Sequence, residues 1–346
     1  MAAFTTIDDS GLFFNPTLYT GTGSSNAVTG VGFSADLTWL KSRNSTYSNY
    51  WFDTARGATK AVWSDNSDVE ATNAEYQKSW ESDGFTVGTN SGVNNSATTY
   101  ASWNWKAGTT SGLSGGTITP SAYSFSTTSG FGVYAYAGNG VVGAEVPHGL
   151  GAVPKMIIIK GLDYAYDWQV YHVAGGNTGN MILNSTAQFA TDNSRWDDTT
   201  PTSTVWTMGS GSTVNYSGRN FVAYVFAEIP GFSKFGSYLG NGNVDGPFLY
   251  TGFSPAFLLI KIYSGSGTGK WIVVDNKRNG FNIDTPFLAP NSSAAEDASP
   301  TLDLLSNGFK LRSTEFPTNA DGKSILYAAF AESPFVNSSG VPTNAR

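Results

Sequence analysis

The sequence predicts an all-β protein, built as a tandem of three related antiparallel β-sandwich domains of jelly-roll or lectin-like type. One motif recurs at intervals of roughly 100 to 120 residues, the size of a domain rather than of a solenoid repeat. Each copy contains about five or six short segments rich in Val, Ile, Phe, Tyr and Trp. Glycine and asparagine turns separate these segments, and no run has a convincing helical period.

The recurring motif is a glycine-led turn that feeds a short apolar run ending in lysine. Its copies are GFSADLTWLK (32–41), GLGAVPKMIIIK (149–160) and GFSPAFLLIK (252–261). We interpret each as a turn followed by a buried strand, in which a side chain such as Leu258 contributes roughly 1.5–3 kcal/mol on burial. The final lysine is expected to mark the point where the strand leaves the core.

A tyrosine followed by glycines precedes each motif, and a second aromatic strand follows it. The turns are YTGTG (19–23), YAGNG (136–140) and YLGNG (238–242), and the strands are NYWFD (49–53), DWQVYH (167–172) and KWIVVD (270–275). Glycine after tyrosine is typical of a strand that enters a turn. The order of elements is therefore the same in all three copies.

A hairpin follows further along each repeat. WESDGFTVG (80–88) and LLSNGFKL (304–311) contain Asp-Gly and Asn-Gly, which supply the positive φ values that a tight hairpin needs. VWTMGSGSTV (205–214) is a degraded equivalent. The best helical candidate, VEATNAEYQKSW (69–80), lies just before the first hairpin and is expected to be short and exposed.

Each repeat closes with a strand that is apolar on both faces, as expected in the middle of a layered structure. These strands are YASWNWKA (100–107), FVAYVFAE (221–228) and ILYAAFAE (325–332). An Asn-x-x-Gly turn precedes the strand at Asn215–Gly218 and Asn319–Gly322, whereas the first copy, Asn95–Thr98, lacks the glycine.

These signals divide the chain into three repeats with flanking segments. The predicted boundaries are an N-terminal arm (1–17), repeat 1 (18–108), a Gly/Ser/Thr-rich linker (109–130), repeat 2 (131–231), repeat 3 (232–335) and a C-terminal tail (336–346). Repeats 2 and 3 are separated only by the short segment IPGFSKFG, so we expect them to pack closely.

Composition excludes several classes of function. The chain has no cysteine, which excludes disulfides, thiolate catalysis and cysteine-ligated metals. The net charge is -7 and no stretch concentrates Lys or Arg, so nucleic acid is not an expected partner. The N-terminus lacks the pattern of a signal peptide and no segment is long enough to cross a bilayer, so we expect a soluble protein without membrane insertion.

No arrangement of residues predicts catalysis, a cofactor or a metal site. His148 and His172 are interpreted as structural, because aspartate replaces His172 in the other two repeats. The pairs Asp53–Arg56 and Asp275–Arg278 could hold a ligand, but the favoured interpretation is that each is an ion pair that stabilises a turn. The Asp and Asn clusters do not match the spacing of a calcium loop, which leaves calcium binding open but unsupported.

Binding is the chemistry that the sequence favours. The loop after each motif lysine carries tyrosines beside small polar residues, and such tyrosines can stack on sugars or anchor a protein contact. The candidate binding residues are Tyr47, Tyr50, Tyr164, Tyr166 and Tyr263. The alternative interpretation is that these side chains only cover the ends of the sandwiches.

Three long segments carry a resemblance to a known family. They are FTTIDDSGLFFNPTLYTGTGSSNAVTG (4–30), FAEIPGFSKFGSYLGNGNVDGPFLYTGF (226–253) and FAESPFVNSSGVPTNAR (330–346). Across essentially its whole length the chain resembles virion-associated proteins of marine tailed bacteriophages. The resemblance implies a structural protein of the phage particle, such as a tail fibre, an appendage or a surface decoration, and it brings no catalytic residues.

We therefore expect a non-enzymatic virion protein, made in the cytoplasm of the host bacterium, that binds the host surface and plausibly its glycans. Its expected partners are other virion proteins, further copies of itself in a homotrimer, and a host glycan or protein. One alternative is a capsid decoration or head fibre that binds neighbouring shell subunits. Another is a carbohydrate-active enzyme with lectin-like domains.

Overall fold

Each repeat folds into a larger and a smaller antiparallel sheet. The computed structural model describes residues 5–265, 269–279, 282, 286–299, 302–314 and 317–343. No helix in the described part exceeds four residues, and these helices are a 3₁₀ turn (Ser10–Leu12), α1 (Ser91–Asn94), α2 (Asn193–Trp196) and α3 (Ser212–Asn215). The predicted all-β fold with antiparallel sheets is confirmed.

The strands are grouped here into three units that correspond to the repeats. Unit 1 contains β1 (Phe14–Thr20), β2 (Asn26–Thr29), β3 (Leu37–Ser42), β4 (Tyr50–Asp53), β5 (Lys60–Trp63), β6 (Ala71–Thr72), β7 (Gln77–Glu81), β8 (Gly84–Val87) and β9 (Thr99–Trp105). Unit 2 contains β10 (Ala122–Ser126), β11 (Phe131–Ala137), β12 (Ala144–Pro147), β13 (Pro154–Gly161), β14 (Gln169–His172), β15 (Gly179–Ile182), β16 (Ala190–Thr191), β17 (Val205–Met208) and β18 (Asn220–Ala227). Unit 3 contains β19 (Ser233–Leu239), β20 (Phe248–Tyr250), β21 (Phe253–Ser264), β22 (Ile272–Asp275), β23 (Leu302–Leu305), β24 (Gly308–Leu311) and β25 (Ser324–Pro334).

The strands that the units share follow the same order in all three. The larger sheets run β1-β9-β3-β4-β5-β6, β10-β11-β18-β13-β14-β15-β16 and β19-β25-β21-β22. In each of them the closing strand (β9, β18 or β25) lies between the motif strand (β3, β13 or β21) and the strand that ends in the tyrosine–glycine turn (β1, β11 or β19). The smaller sheets run β2-β8-β7, β12-β17 and β20-β24-β23. Unit 2 lacks the third strand of its smaller sheet, and α2 lies at that point of the sequence.

Two predictions about the first half of the chain were wrong. The helical candidate 69–80 forms β6 and most of β7, because Gln77 and Trp80 pair with Val87 and Phe85 in a hairpin. The predicted linker 109–130 is a linker only in part, because residues 110–116 lack regular structure and are mostly exposed, whereas residues 122–126 form β10. β10 pairs with β11, and the apolar side chain of Ile118 is buried in the core of unit 2. Residues 117–126, called the closing segment below, therefore belong to unit 2.

The three larger sheets share a central core. Trp105, Phe226 and Phe330 occupy equivalent positions, since each pairs with the residue four places before the lysine of its motif strand: Leu37, Met156 and Phe257. Their ring centroids lie 5.5 to 6.1 Å apart, so the three rings meet around a pseudo-threefold axis. A single hydrophobic cluster contains residues of all three units. This explains why the closing strands are apolar on both faces, because one face packs on the smaller sheet and the other on the axis.

The motif lysines do not leave the core, contrary to the prediction. Lys41, Lys160 and Lys261 are fully buried, and each ammonium group donates to a carbonyl oxygen of a neighbouring unit. The acceptors are Ser293 at 2.9 Å from Lys41, Ser67 at 3.1 Å from Lys160 and Thr186 at 2.8 Å from Lys261. Burial lowers the pKa of each lysine to about 8. The three lysines therefore connect the units in cyclic order. We call the three contacts between units the seams.

A second hydrogen bond repeats at each seam. The indole Nε1 of Trp168 donates to the Trp63 carbonyl at 2.8 Å, and that of Trp271 donates to the Ile182 carbonyl at 2.9 Å. Asn49 replaces the tryptophan in unit 1, and its amide donates to the Ser292 carbonyl at 2.9 Å. Because buried donors and acceptors are costly to leave unpaired, these bonds hold the units in one mutual arrangement.

Candidate functional site

Unit 2 carries a cluster of exposed aromatic side chains beside an arginine. Tyr164 is 47% exposed and stacks on Tyr166, with ring centroids 4.9 Å apart and an interplanar angle of 30°. The guanidinium carbon of Arg219 lies 5.0 Å from the ring centroid of Tyr164 and 6.0 Å from that of Tyr216. Tyr216 is also 47% exposed. We call Tyr164, Tyr166, Tyr216 and Arg219 the tyrosine platform.

Two loops build the platform, and hydrogen bonds fix one loop against the other. Tyr164 and Tyr166 lie between β13 and β14, whereas Tyr216 and Arg219 lie in the turn between α3 and β18. The Asp163 carboxylate accepts the main-chain N–H of Asn220 at 3.2 Å and its side-chain amide at 3.1 Å. The Leu162 N–H donates to the Asn220 carbonyl at 2.8 Å. The platform therefore rests on two adjacent strands rather than on a free loop.

The platform has the chemistry of a site that binds rings and anions. An exposed tyrosine presents an apolar face that can pack on a sugar, at a low cost in conformational entropy. The Arg219 guanidinium lies within cation–π range of two of the rings. It can also donate two parallel hydrogen bonds to a carboxylate or phosphate. The arrangement fits a sugar that carries an acidic group.

Of the five predicted tyrosines, the structure brings only Tyr164 and Tyr166 together. Tyr50 lies in β4 rather than in a loop, and it is packed in the core of unit 1 at 9% exposure, so it cannot serve as a surface contact. Burial raises the pKa of Tyr50 to about 12. Tyr47 and Tyr263 are half-buried, and their main-chain carbonyls accept hydrogen bonds from Lys41 and Phe189. Tyr47 and Tyr263 therefore lie beside the seams rather than on the platform.

Sequence reasoning missed Tyr216 and Arg219. Tyr216 lies within the Asn215–Gly218 turn and Arg219 directly follows it, more than fifty residues after Tyr164 in the chain. Only the pairing of β13 with β18 brings the two loops together. A signal did exist in the turn itself. The structure aligns Asn94 and Asn319 with Asn215, so the positions of Tyr216 and Arg219 are occupied by Asn95 and Thr98 in unit 1 and by Ala320 and Lys323 in unit 3. Unit 2 alone has an aromatic and a guanidinium residue at these positions.

The ion pairs singled out in the sequence are buried at the seams. Arg56 Nε lies 2.6 Å from Asp53 Oδ2, and Arg278 Nε lies 2.7 Å from Asp275 Oδ2. Each carboxylate also accepts a hydrogen bond from the next unit around the axis, from the Tyr224 hydroxyl to Asp53 at 2.7 Å and from Trp103 Nε1 to Asp275 at 2.9 Å. This supports the structural interpretation of both pairs.

Both histidines are buried in hydrogen-bonded positions. His172 takes the place of the seam aspartates, with Nε2 3.1 Å from the Tyr327 carbonyl and Nδ1 accepting the Ala174 N–H. Burial lowers the pKa of His172 to about 4, so the ring is neutral at neutral pH and its Nε2–H donates to Tyr327. Burial also lowers the pKa of His148, whose ring bonds to the Thr202 carbonyl. Neither ring reaches the platform.

Comparison with known proteins places the chain in a family. Residues 9–334 match the model described as Domain of unknown function (DUF7483). The chain belongs to this family. In this DUF7483 protein the match covers all three units, their seams and the whole tyrosine platform. No curated protein matches the chain, and no solved structure matches it.

Two further observations concern the described part of this DUF7483 chain. In that part, no group of three or more His, Asp or Glu side chains is arranged to hold a metal ion. None of the helices described there has the length and the hydropathy that crossing a membrane requires.

Proposed function

We propose that this DUF7483 protein is a non-enzymatic structural component of a bacteriophage particle, of the tail fibre or appendage type, and that it binds glycans of the host surface through the tyrosine platform. The observation that carries the binding role is the exposed Tyr164, which stacks on the half-buried Tyr166 and has Arg219 over its ring. The resemblance of the chain to virion-associated phage proteins supports the location. Other virion proteins and further copies of the chain are the proposed structural partners.

The packing beneath the platform supports a binding role. The platform sits at the ends of β13 and β18, and both strands are anchored in the shared core. A site that is already formed loses little entropy when a ligand binds, which favours useful affinity from a small contact area. The ionisable side chains buried in the seams bond to neighbouring units, so in this proposal they stabilise the association of the units.

A glycan-binding assay with matched variants tests the proposal. Purified protein is applied to an array of bacterial surface polysaccharides, and the affinity for each bound glycan is then measured by titration. We expect Tyr164→Ala to weaken binding about tenfold, which corresponds to about 1.4 kcal/mol. Arg219→Gln is expected to act mainly on acidic glycans, because it removes the charge but keeps much of the side-chain volume.

The control variant is Tyr250→Ala, which removes a tyrosine of similar exposure from unit 3. It should leave glycan binding unchanged. The absence of binding to any glycan, or equal losses in all three variants, would contradict the role of the platform. Antibody labelling of intact particles tests the location separately, since signal over the head facets would support the shell-binding alternative instead.

A further inference from the structure

One side of unit 3 is open where the same side of unit 2 is closed. In unit 2 the closing segment pairs with β11, and the N–H groups of Thr117 and Ile118 both donate to the Glu145 carbonyl of β12 at 2.9 Å. The segment thereby covers the edges of both sheets of unit 2. Within the described residues of unit 3, β19 pairs only with β25, and β20 only with β24. In the part of the chain that the structure describes, no strand lies beside the outer edges of β19 and β20.

The main-chain groups of β19 that face outward can be identified by comparison with β11, the equivalent strand of unit 2. Ala135 in β11 pairs with Val222, and Ser237 in β19 pairs with Leu326, four residues before Phe226 and Phe330 respectively. The Ala135 carbonyl accepts the Ser121 N–H at 2.8 Å on the outer side. Alternate residues of a strand direct their main-chain groups to the same side. Ser237 and, two residues on, Leu239 therefore direct theirs outward from unit 3.

Unit 1 carries two features that hinder strand pairing at the equivalent edge. Pro16 of β1 pairs with Trp103 at the position that Phe235 occupies in β19, and proline has no N–H to offer an incoming strand. The side-chain amide of Asn26 also donates to the outward Thr20 carbonyl at 3.3 Å. Proline and local caps are common ways to prevent pairing at an edge. In unit 3 one such cap is present, because the Phe235 N–H donates to Glu228 at 3.2 Å.

Apolar side chains are exposed around the open edge. Leu239, Val244, Phe248 and Tyr250 are 62%, 60%, 46% and 60% exposed. A cleft of about 260 Å³ lies near the start of β19, with Glu228, Lys234, Tyr250 and Phe335 among its lining residues. Exposed apolar groups concentrated at one place mark interaction surfaces more often than scattered ones do.

We propose that this edge of unit 3 accepts an extended, uncharged segment of another polypeptide as an added antiparallel strand. The occupant is argued from the closing segment TITPSAYSFS, which carries no charge and fills the equivalent edge of unit 2 within the same chain. Strand addition supplies main-chain hydrogen bonds, and contacts of alternate side chains supply specificity. The proposal does not rest on the proposed function, because it concerns a different unit and a different class of ligand.

The test uses a fluorescent peptide with the sequence of residues 117–126, titrated with the intact protein and followed by anisotropy. Saturable binding to the wild-type protein is expected. Ser237→Ala keeps the outward N–H and should bind the peptide as the wild type does. Ser237→Pro removes that N–H and should weaken binding at least tenfold. Thermal unfolding shows whether both variants remain folded.

A second pair of probes keeps the test valid if Ser237→Pro does not fold. In unit 2, Ser124 pairs with Val133 of β11, whereas the Phe125 N–H donates away from β11 to the Thr109 carbonyl at 3.0 Å. A peptide N-methylated at Ser124 should bind at least tenfold more weakly, and one methylated at Phe125 should bind normally.

Three results would overturn the proposal. The first is the absence of saturable peptide binding, and the second is equal binding of both methylated peptides. The third is a protein dimer, seen by sedimentation, that Ser237→Asp dissociates and Ser237→Ala does not. That result would assign the edge to a second copy of this chain.

Discussion

One asparagine in each unit organises the turn before the closing strand. Asn94, Asn215 and Asn319 are fully buried, and each side-chain oxygen accepts a main-chain N–H from the opposite glycine-rich turn, at 2.8 to 3.0 Å. Their amides donate to the carbonyls of Gly88, Gly209 and Ser313. The sequence predicted this turn in unit 1 one residue too late, at Asn95–Thr98. Both Asn94 and Asn95 are asparagines, and only the contacts of their side chains distinguish them.

The corrected register locates a strained alanine. Ala97 has φ 60°, at the position where Gly218 has φ 73° and Gly322 has φ 64°. A side chain in this left-handed region costs roughly 1 kcal/mol. We expect Ala97→Gly to raise the free energy of unfolding by about that amount, and Gly218→Ala to lower it similarly. Urea denaturation of the two variants measures both changes, and a destabilised Ala97→Gly protein would contradict the assignment.

The hairpins show which features of an element can be predicted from sequence. β7–β8 and β23–β24 form where the Asp-Gly and Asn-Gly steps predicted them. Gly84 has a positive φ of 150°, as predicted, but a second reason applies to both glycines. A Cβ at Gly84 would lie 2.0 Å from the Val28 carbonyl oxygen, and one at Gly308 would lie 2.0 Å from that of Leu249. Each glycine therefore leaves room for the edge strand of the smaller sheet to approach closely. The sequence of the hairpin alone does not reveal this contact.

The seam lysines connect the motif strands to neighbouring units, and this gives the protein an alkaline pH dependence. The pKa of Lys261 is about 8 in the folded protein, against 10.5 as the ordinary value. Between these pH values the unfolded chain binds more protons than the folded protein does, so the free energy of unfolding rises with pH. The rise between pH 8 and 9 should be about 1 kcal/mol for each such lysine.

Lys261→Met provides the comparison. We expect this variant to be less stable at every pH, because the Thr186 and Gly269 carbonyls lose their donor. Its stability should also rise less steeply between pH 8 and 9 than that of the wild type, since two seam lysines remain instead of three. Guanidinium denaturation at pH 7, 8 and 9 measures both effects. Parallel pH profiles would show that Lys261 does not titrate in this range.

At the scale of the whole molecule, the repeat predicted three units but not how they associate. The apolar character of both faces of the closing strands was visible in the sequence. It did not reveal that the second face meets two other units at Trp105, Phe226 and Phe330, because that contact joins residues more than a hundred positions apart. The tyrosine platform follows the same rule, since Tyr164 and Tyr166 were found from their shared loop and Arg219 was not.

The shared core predicts that the three units unfold together. Phe330 lies within 5.7 Å, centroid to centroid, of Phe14, Trp105 and Phe226, which are rings of the other two units. Phe330→Ala should lower the free energy of unfolding by about 3–5 kcal/mol. Because this ring contacts all three units, the loss of stability should shift one common unfolding transition. The exposed Phe248→Ala change serves as the control and should cost less than about 0.5 kcal/mol.

The measurement compares tryptophan fluorescence, which reports mainly on units 1 and 2, with far-ultraviolet circular dichroism, which reports on all strands. Coincident curves are expected for both variants, whereas a separate early transition of unit 3 in Phe330→Ala would show that the units are independent domains.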